Sequence, residues 1–498
     1  MRTNPENHHP HQACAHHSTG MSTRNAQRAE ATRVASAALR GLVDLVDVDH
    51  FREHQLEIAV SVAVYRMDVW VGLACGSGKT LIAGLALKMM CEPNQNYYGI
   101  MESPMKLSIK GTARQLQRLG VTVVLLNNDT RLDVCNMLAQ ETNPSTPTMI
   151  LGDSKQLTHP AFLAALRFGG SNSNTPTSFD FEELPLSPIG LIVVDEAHTV
   201  KRWSHNFKSS QSKLGRIADV LNTWPCLRCP MMALTATATA KERAWIMENL
   251  RFSTNPAYVE EVVKSLRRKN VLIRCHFDPS LNGKDWEKKK AKDVLDSVKD
   301  GHVVVVFVNE QKRADSVATL LTKLMFDDAG LGNGVAHSYH SETPNRLQDE
   351  LIEAIEDNAR RAHELRKTNG GVLQNGTVVL VCTLSFSISI SIDYIDRVVI
   401  WDHPVNLSMA MQELLRGGRA GTPCECSIYV NWKVHQFHIH HAREHSKKAV
   451  KRMEEESSKK GKKKNKKIQA GLDFAATEEG AANALMKFVM DGKTCRYK

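Results

Sequence analysis

The chain has 498 residues, 42% hydrophobic and 24% charged, with 64 Lys and Arg against 54 Asp and Glu for a formal net charge of +10. That length allows two or three domains with ample core and excludes a small scaffold that depends on disulfide staples. No apolar run approaches the roughly 18 residues of a membrane span, so no membrane partner is expected, and the eleven scattered cysteines suit a reducing compartment.

The N-terminus, "MRTNPENHHPHQACAHHSTG", lacks the apolar core of a secretory signal and reads as a disordered leader over residues 1–34. Its five histidines have no enforced spacing and are not taken as a metal site. From 35 to 255, short apolar runs alternate with helical patterns. "DVWVGLA", "YYGIMES", "VTVVLLNN", "PTMILGD", "IGLIVVDEA" and "CPMMALTAT" read as buried strands, with amphipathic segments such as "LSIKGTARQLQRL" between them. Near-continuous apolar strands separated by helices imply a parallel sheet covered on both faces. A Gly/Ser/Asn/Pro-rich insertion at 168–188 reads as a surface loop. The alternation restarts in a second α/β unit placed at 256–434, through "HVVVVFVN", the helix "EQKRADSVATLLTKL", a polar helix at 345–367, "TVVLVCT", "RVVIWDHP" and "CSIYVNW". The fold class expected is α/β, two tandem parallel-sheet domains across a cleft, plus a basic helical C-terminal tail over 435–498.

Charge is concentrated in that tail: residues 442–467 carry twelve Lys/Arg and four Glu, a net +8, which leaves +2 for the other 472 residues. "KKGKKKNKK" at 459–467 reads as a nuclear-import signal, a phosphate-binding arm or a solvated run. Cys226 and Cys229 form a single CxxC with no second pair, and Cys424 and Cys426 fall in an expected strand, so both pairs read as isolated thiols rather than zinc ligands.

"VWVGLACGSGKTLIAGLAL" sets an apolar strand before a glycine-rich turn and a helix after it. There Gly76, Ser77 and Gly78 let backbone amides approach phosphates, Lys79 reaches the β- and γ-phosphates, and the Thr80 hydroxyl holds Mg²⁺. The general pattern has glycine at 73, where this chain has Leu73. In "LIVVDEAH", 116 residues after Lys79, a strand ends in Asp195, placed to hold Mg²⁺ through water, and Glu196, placed to orient and deprotonate the attacking water. The plain alternatives are a structural glycine turn and an acidic helix cap.

With these motifs in order, the sequence resembles the RecQ family of superfamily 2 helicases. "FREHQ" at 51–55 is similar to the family's adenine-recognition motif, which implies that Arg52 stacks on the base and Gln55 reads its edge; the family's upstream aromatic is here Val48. A bulky apolar residue at 73 is common in the family. "ESPMKLS", with Ser103, resembles a strand-contacting motif. "MALTATAT" resembles the motif that couples hydrolysis to movement, which implies DNA contacts for Thr235 and Thr237. "TVKRWSHNFK" is similar to the aromatic-rich loop, putting Trp203, His205 and Phe207 at stacking positions and Lys208 where arginine is usual. Rings stack on bases at about 1–3 kcal/mol each while a cation follows the phosphates. A surface loop with its rings tucked inward is the alternative.

"MQELLRGGRAGTPCEC" aligns without gaps to the family's arginine-bearing segment, which implies that Arg416 and Arg419 neutralise γ-phosphoryl charge across the cleft; taken alone, the pair also fits a surface basic patch. "TLSFSISISID" falls on a loop that in the family contacts nucleotide and DNA: Thr383, Phe386 and Ile390 match, while Ser387 and Ser389 replace glycines and Ser391 replaces Asn/Asp. Serine resists the positive φ that glycine permits. "MKFVMDGKTCRYK" resembles the start of a zinc-binding subdomain in which Cys495 is a lone remnant, so Zn²⁺ is not expected here.

The resemblance implies two RecA-like lobes, ATP and Mg²⁺ as substrate and cofactor, single-stranded and forked DNA as partners, and 3′→5′ unwinding; a nuclear location follows from it and the basic run. Protein partners are left open. Two further readings remain at this point: a nucleotide- and DNA-binding relic that does not unwind, and an RNA-directed DEAH helicase.

Overall fold

The computed structural model describes residues 53–74, 76–91, 96–104, 106–139, 143–168, 189–202, 210–222, 229–265, 268–277, 283–299, 302–327, 335–367, 378–383, 392–404, 407–431, 433–437, 439–440, 444 and 486. The two expected parallel sheets are both present.

The first sheet contains β1 (Asp68–Gly72), β2 (Tyr98–Glu102), β3 (Thr122–Leu126), β4 (Thr148–Gly152), β5 (Ile189–Val194), β6 (Met231–Thr235) and β7 (Val259–Val263). They lie in the order β3-β4-β2-β5-β6-β1-β7, and every pairing is parallel. The second sheet contains β8 (Val271–Phe277), β9 (Val303–Phe307), β10 (Ala336–Tyr339), β11 (Val378–Cys382), β12 (Arg397–Ile400) and β13 (Cys424–Val430), in the order β10-β11-β9-β12-β13-β8. It too is parallel throughout.

The apolar runs are continuous because each strand feeds two cores. On β5, Ile192 and Val194 enter one cluster while Leu191 and Val193 enter the other; on β6, Met231 and Ala233 alternate in the same way with Met232 and Leu234. In the second lobe, Val303, Val305 and Phe307 of β9 face one core, and Val304 and Val306 the opposite one. A strand buried on both faces has no polar side to show. Each such aliphatic side chain contributes about 1.5–3 kcal/mol on burial.

The boundary between lobes falls later than expected. β7, placed by the sequence reading in the second unit, pairs with β1 in the first sheet. Asp68 fixes this arrangement: its buried carboxylate accepts from the amides of Met231 at 2.9 Å and Ser253 at 2.7 Å, tying the start of β1 to β6 and to the segment leading into β7. Of the tail, Met486 packs into the second lobe's core. Residues 1–52 and 459–467, the insertion at 169–188, and Cys226 lie outside the described residues. Among those described, no helix is long and apolar enough to cross a membrane.

Candidate nucleotide site at the lobe interface

Three adjacent strands, β5, β6 and β1, deliver their carboxyl ends to one edge of the first sheet, the usual place for a ligand in an open parallel sheet. The phosphate loop leaves β1 there. Gly76 has φ +74° and Gly78 φ +77°, the left-handed region that side chains resist, and Gly78 caps the helix Lys79–Met90. Leu73, the departure from the general pattern, is buried in the core below the loop, and its amide donates to Thr235 O at 3.0 Å. An apolar side chain there anchors the loop from beneath.

Lys79 donates from Nζ to the carbonyls of Leu73 and Ala74, both at 3.3 Å, so its ammonium lies over the loop. Gln55 is buried, and its amide donates to Ser77 O at 2.8 Å; a Cβ on Gly78 would collide with it. Gln55 therefore supports the phosphate loop directly. Arg52 lies outside the described residues.

Asp195 follows β5, its amide held by Glu102 O at 3.0 Å. Its carboxyl is pushed up to about 7, first by burial and then by the Glu196 charge, against the pull of Lys79 and Arg416. Glu196 is buried with a strained φ of +46°, its amide donating to Asp195 Oδ1 at 2.9 Å and its Oε2 lying 3.3 Å from His198 Nδ1.

From the second lobe, the helix Leu407–Leu414 runs into a turn before β13. That turn carries both expected arginines and lies at the amino end of β12, where Gly418 N and Ala420 N donate to Ile395 O and Asp393 O. Arg416 is buried close enough to Asp195 to lower its pKa. Arg419 packs its Cγ 3.1 Å from where a Gly76 Cβ would stand. The structure thus brings Lys79, Asp195, Arg416 and Arg419 to one interface, with Glu196 and Gln55 beside it.

Two residues join the lobes here that the sequence reading did not assign. Gln412 Nε2 lies 2.8 Å from His198 Nε2 and donates to Thr237 Oγ1 at 3.1 Å. With the amide donating to both, His198 carries its proton on Nδ1, which faces Thr235 Oγ1 at 3.0 Å. Thr237 N in turn donates to Thr235 Oγ1 at 3.2 Å. The signal was present in the final letter of DEAH and in the glutamine before the arginines.

Four of the expected DNA contacts, Ser103, Thr235, Thr237 and Thr383, are buried among neighbouring protein groups. Ser103 is fully buried, its hydroxyl 2.6 Å from that of Ser108, so it closes a turn. Thr235 and Thr237 are buried in the Gln412–His198 relay. Thr383 is buried, its amide donating to Tyr339 O at 3.2 Å. Trp203, His205, Phe207, Lys208, Ser387, Ser389, Ser391 and Cys495 lie outside the described residues. Among the described residues, no group of three or more His, Cys, Asp or Glu is placed to hold a metal.

Residues 52–244 match the family model "DEAD/DEAH box helicase", and residues 287–421 match "Helicase conserved C-terminal domain". The chain is therefore a two-lobed superfamily 2 helicase by class. It is 21% identical over 387 residues to the RecQ-like DNA helicase blm-1 of Caenorhabditis elegans, covering 77% of this chain and 33% of that one. It is 22% identical over 396 residues to the ATP-dependent DNA helicase RecQ of Haemophilus influenzae, covering 79% and 53%. Within the class, both of these relatives are RecQ-type DNA helicases by name, and this chain is similar to them at modest identity. It spans between about a third and a half of the length of these two relatives. Its fold matches that of the Mycobacterium smegmatis helicase Lhr bound to ssDNA and AMP-PNP, with a TM-score of 0.52 at 18% identity, over 76% of this chain and 45% of that one.

Proposed function

We propose that the chain is the motor core of an ATP-dependent DNA helicase of RecQ type, moving 3′→5′ on single-stranded DNA and unwinding forked duplexes. The observation that carries the reading is the convergence of Arg416 and Arg419 from one lobe on Lys79, Asp195 and Gly76 of the other.

The residues present fit a magnesium–triphosphate. Gly76 and Gly78 add no Cβ to the loop, and Ser77 Oγ is buried without a hydrogen-bond partner among the described residues. Thr80 and Asp195 are the residues that would hold Mg²⁺. When bound, that ion neutralises charge on the β- and γ-phosphates. Lys79 binds the phosphates and gives up its two loop carbonyls to do so. Glu196 orients the attacking water and receives its proton, and the arginines stabilise the charge that develops on the γ-phosphoryl group. DNA as the polymer rests on the named activity of the relatives and on the ring-rich segment around Trp203; the nucleus as location rests on the basic run 459–467.

The test is ATP hydrolysis with and without single-stranded DNA, alongside unwinding of a forked duplex. DNA-stimulated hydrolysis that Lys79→Ala abolishes while strand binding persists supports the reading. No hydrolysis by the unsubstituted chain, with strand binding intact, leaves a non-unwinding relic instead.

A further inference from the structure

The segment joining the lobes is built into the arginine turn. Arg268 donates from Nη1 to Gly417 O at 2.9 Å. Asn270 Nδ2 donates to Gly418 O at 2.8 Å and to Thr422 O at 2.6 Å, using both amide hydrogens, while its own carbonyl accepts from Cys424 N at 2.8 Å. Arg268 O accepts from Val271 N at 3.2 Å, so the backbone that presents these two side chains is fixed at the start of β8. Three carbonyls of the turn that carries Arg419 are thus gripped by two linker residues.

The same guanidinium also meets the first lobe. Arg268 Nη2 lies 3.4 Å from the position a Gly76 Cβ would take, alongside Arg419 Cγ at 3.1 Å. One planar fork therefore bonds the arginine turn through one nitrogen and sets the other beside the bare face of Gly76 in the phosphate loop. A lysine ammonium, a single point on a flexible stem, does not span both.

We propose that Arg268 and Asn270 are positioning residues of the nucleotide site: the inter-lobe linker sets the arginine turn in register with the phosphate loop. The inference rests on the nucleotide-site reading above and adds to it. The linker is a working part of the site, and its bend decides where Arg419 stands when the lobes close.

The experiment uses the full chain with Arg268→Ala, Arg268→Lys and Asn270→Asp. It measures ATP hydrolysis at saturating single-stranded DNA, together with amide hydrogen exchange of residues 417–424. Misplacement of a catalytic group by about 1 Å costs on the order of a hundredfold. Arg268→Ala is therefore expected to lower kcat by about that factor while KM for ATP moves by less than about threefold. Millimolar guanidinium is expected to restore part of the loss in Arg268→Ala, and Arg268→Lys to stay impaired. Asn270→Asp, which sets a carboxylate against two carbonyls, is expected to speed exchange across the turn while β1 and β6 stay protected. A kcat within about twofold of the unsubstituted chain, with unchanged exchange, overturns the proposal. Loss of protection throughout both sheets also overturns it, by assigning the residues to folding. If the unsubstituted chain hydrolyses no ATP, the nucleotide reading fails by itself and exchange decides the linker: faster exchange confined to the turn supports the grip, unchanged exchange refutes it.

Discussion

Gln412 in the second lobe and His198 in the first stand 2.8 Å apart between Gln412 Nε2 and His198 Nε2, and both side chains are buried. Behind His198 lie Thr235 and Glu196, and beside it Thr237, so one inter-lobe hydrogen bond reaches the acidic pair in two steps. A buried amide left without its partners costs about 1–3 kcal/mol. Gln412→Leu removes both donors at similar size. We expect it to lower DNA-stimulated hydrolysis by about tenfold or more, while hydrolysis without DNA falls less. The ratio of the two rates measures the coupling; an unchanged ratio at a lower overall rate argues that Gln412 only packs the interface.

Arg419→Ala removes the side chain that covers Gly76. Arginines in this role are worth about a thousandfold or more in kcat. The expected outcome is a loss of that order with little change in the affinity for a non-hydrolysable ATP analogue, read by single-turnover kinetics and by equilibrium binding. Equal loss in both assigns Arg419 to ground-state binding.

Asp195 gives a pH test with a definite sign. Its folded pKa is about 7, above the usual 3.8, so ionising it in the nucleotide-free protein opposes folding. The penalty is absent below pH 3.8, grows as pH rises from there toward about 7, and is complete above that. Asp195→Asn is therefore expected to abolish hydrolysis yet stabilise the nucleotide-free chain by about 1–3 kcal/mol at pH 8, with the gain shrinking toward pH 5. Denaturant midpoints at the two pH values check this; a gain that grows on acidification contradicts the assigned shift.

Ser103→Ala separates a turn-closing role from a strand-contacting one. The hydroxyl is buried against Ser108. We expect a stability loss of about 1 kcal/mol and an unchanged affinity for single-stranded DNA across a salt series, measured by fluorescence anisotropy. A weaker affinity with unchanged stability restores the strand contact.

What the sequence revealed and what it hid follow from where each strand lies. The six strands recognised in the first lobe include all its interior ones, where both faces are apolar and the run is unbroken. The strands passed over, β7, β8 and β10, all sit at sheet edges. β7 reads "VEEVV", with every residue at least partly exposed, and β8 alternates buried Val271 and Ile273 with exposed Leu272 and Arg274. An edge strand keeps only part of its apolar signature, which is why the apolar pattern alone leaves β7 out of the first lobe. The phosphate loop, acidic pair and arginines were legible because their chemistry demands particular residues at particular spacings. The protein partners of the Ser103, Thr235 and Thr237 hydroxyls are hidden for a related reason: a short polar side chain looks the same in sequence whether it meets a ligand or a neighbour inside the protein. Gln412 and Arg268 went unassigned because their partners lie 214 and 149 residues away in the chain.

The position of β1 between β6 and β7 governs how the first lobe is made. Val69 pairs with Met232 and Asp68 with Val259, so the strand that launches the phosphate loop has no neighbour until about 160 more residues have been translated. At about 5–20 residues per second, that wait is on the order of ten to thirty seconds. Through that interval both edges of the apolar β1 ribbon lack their strand partners, an exposure of the kind that chaperones exist to cover.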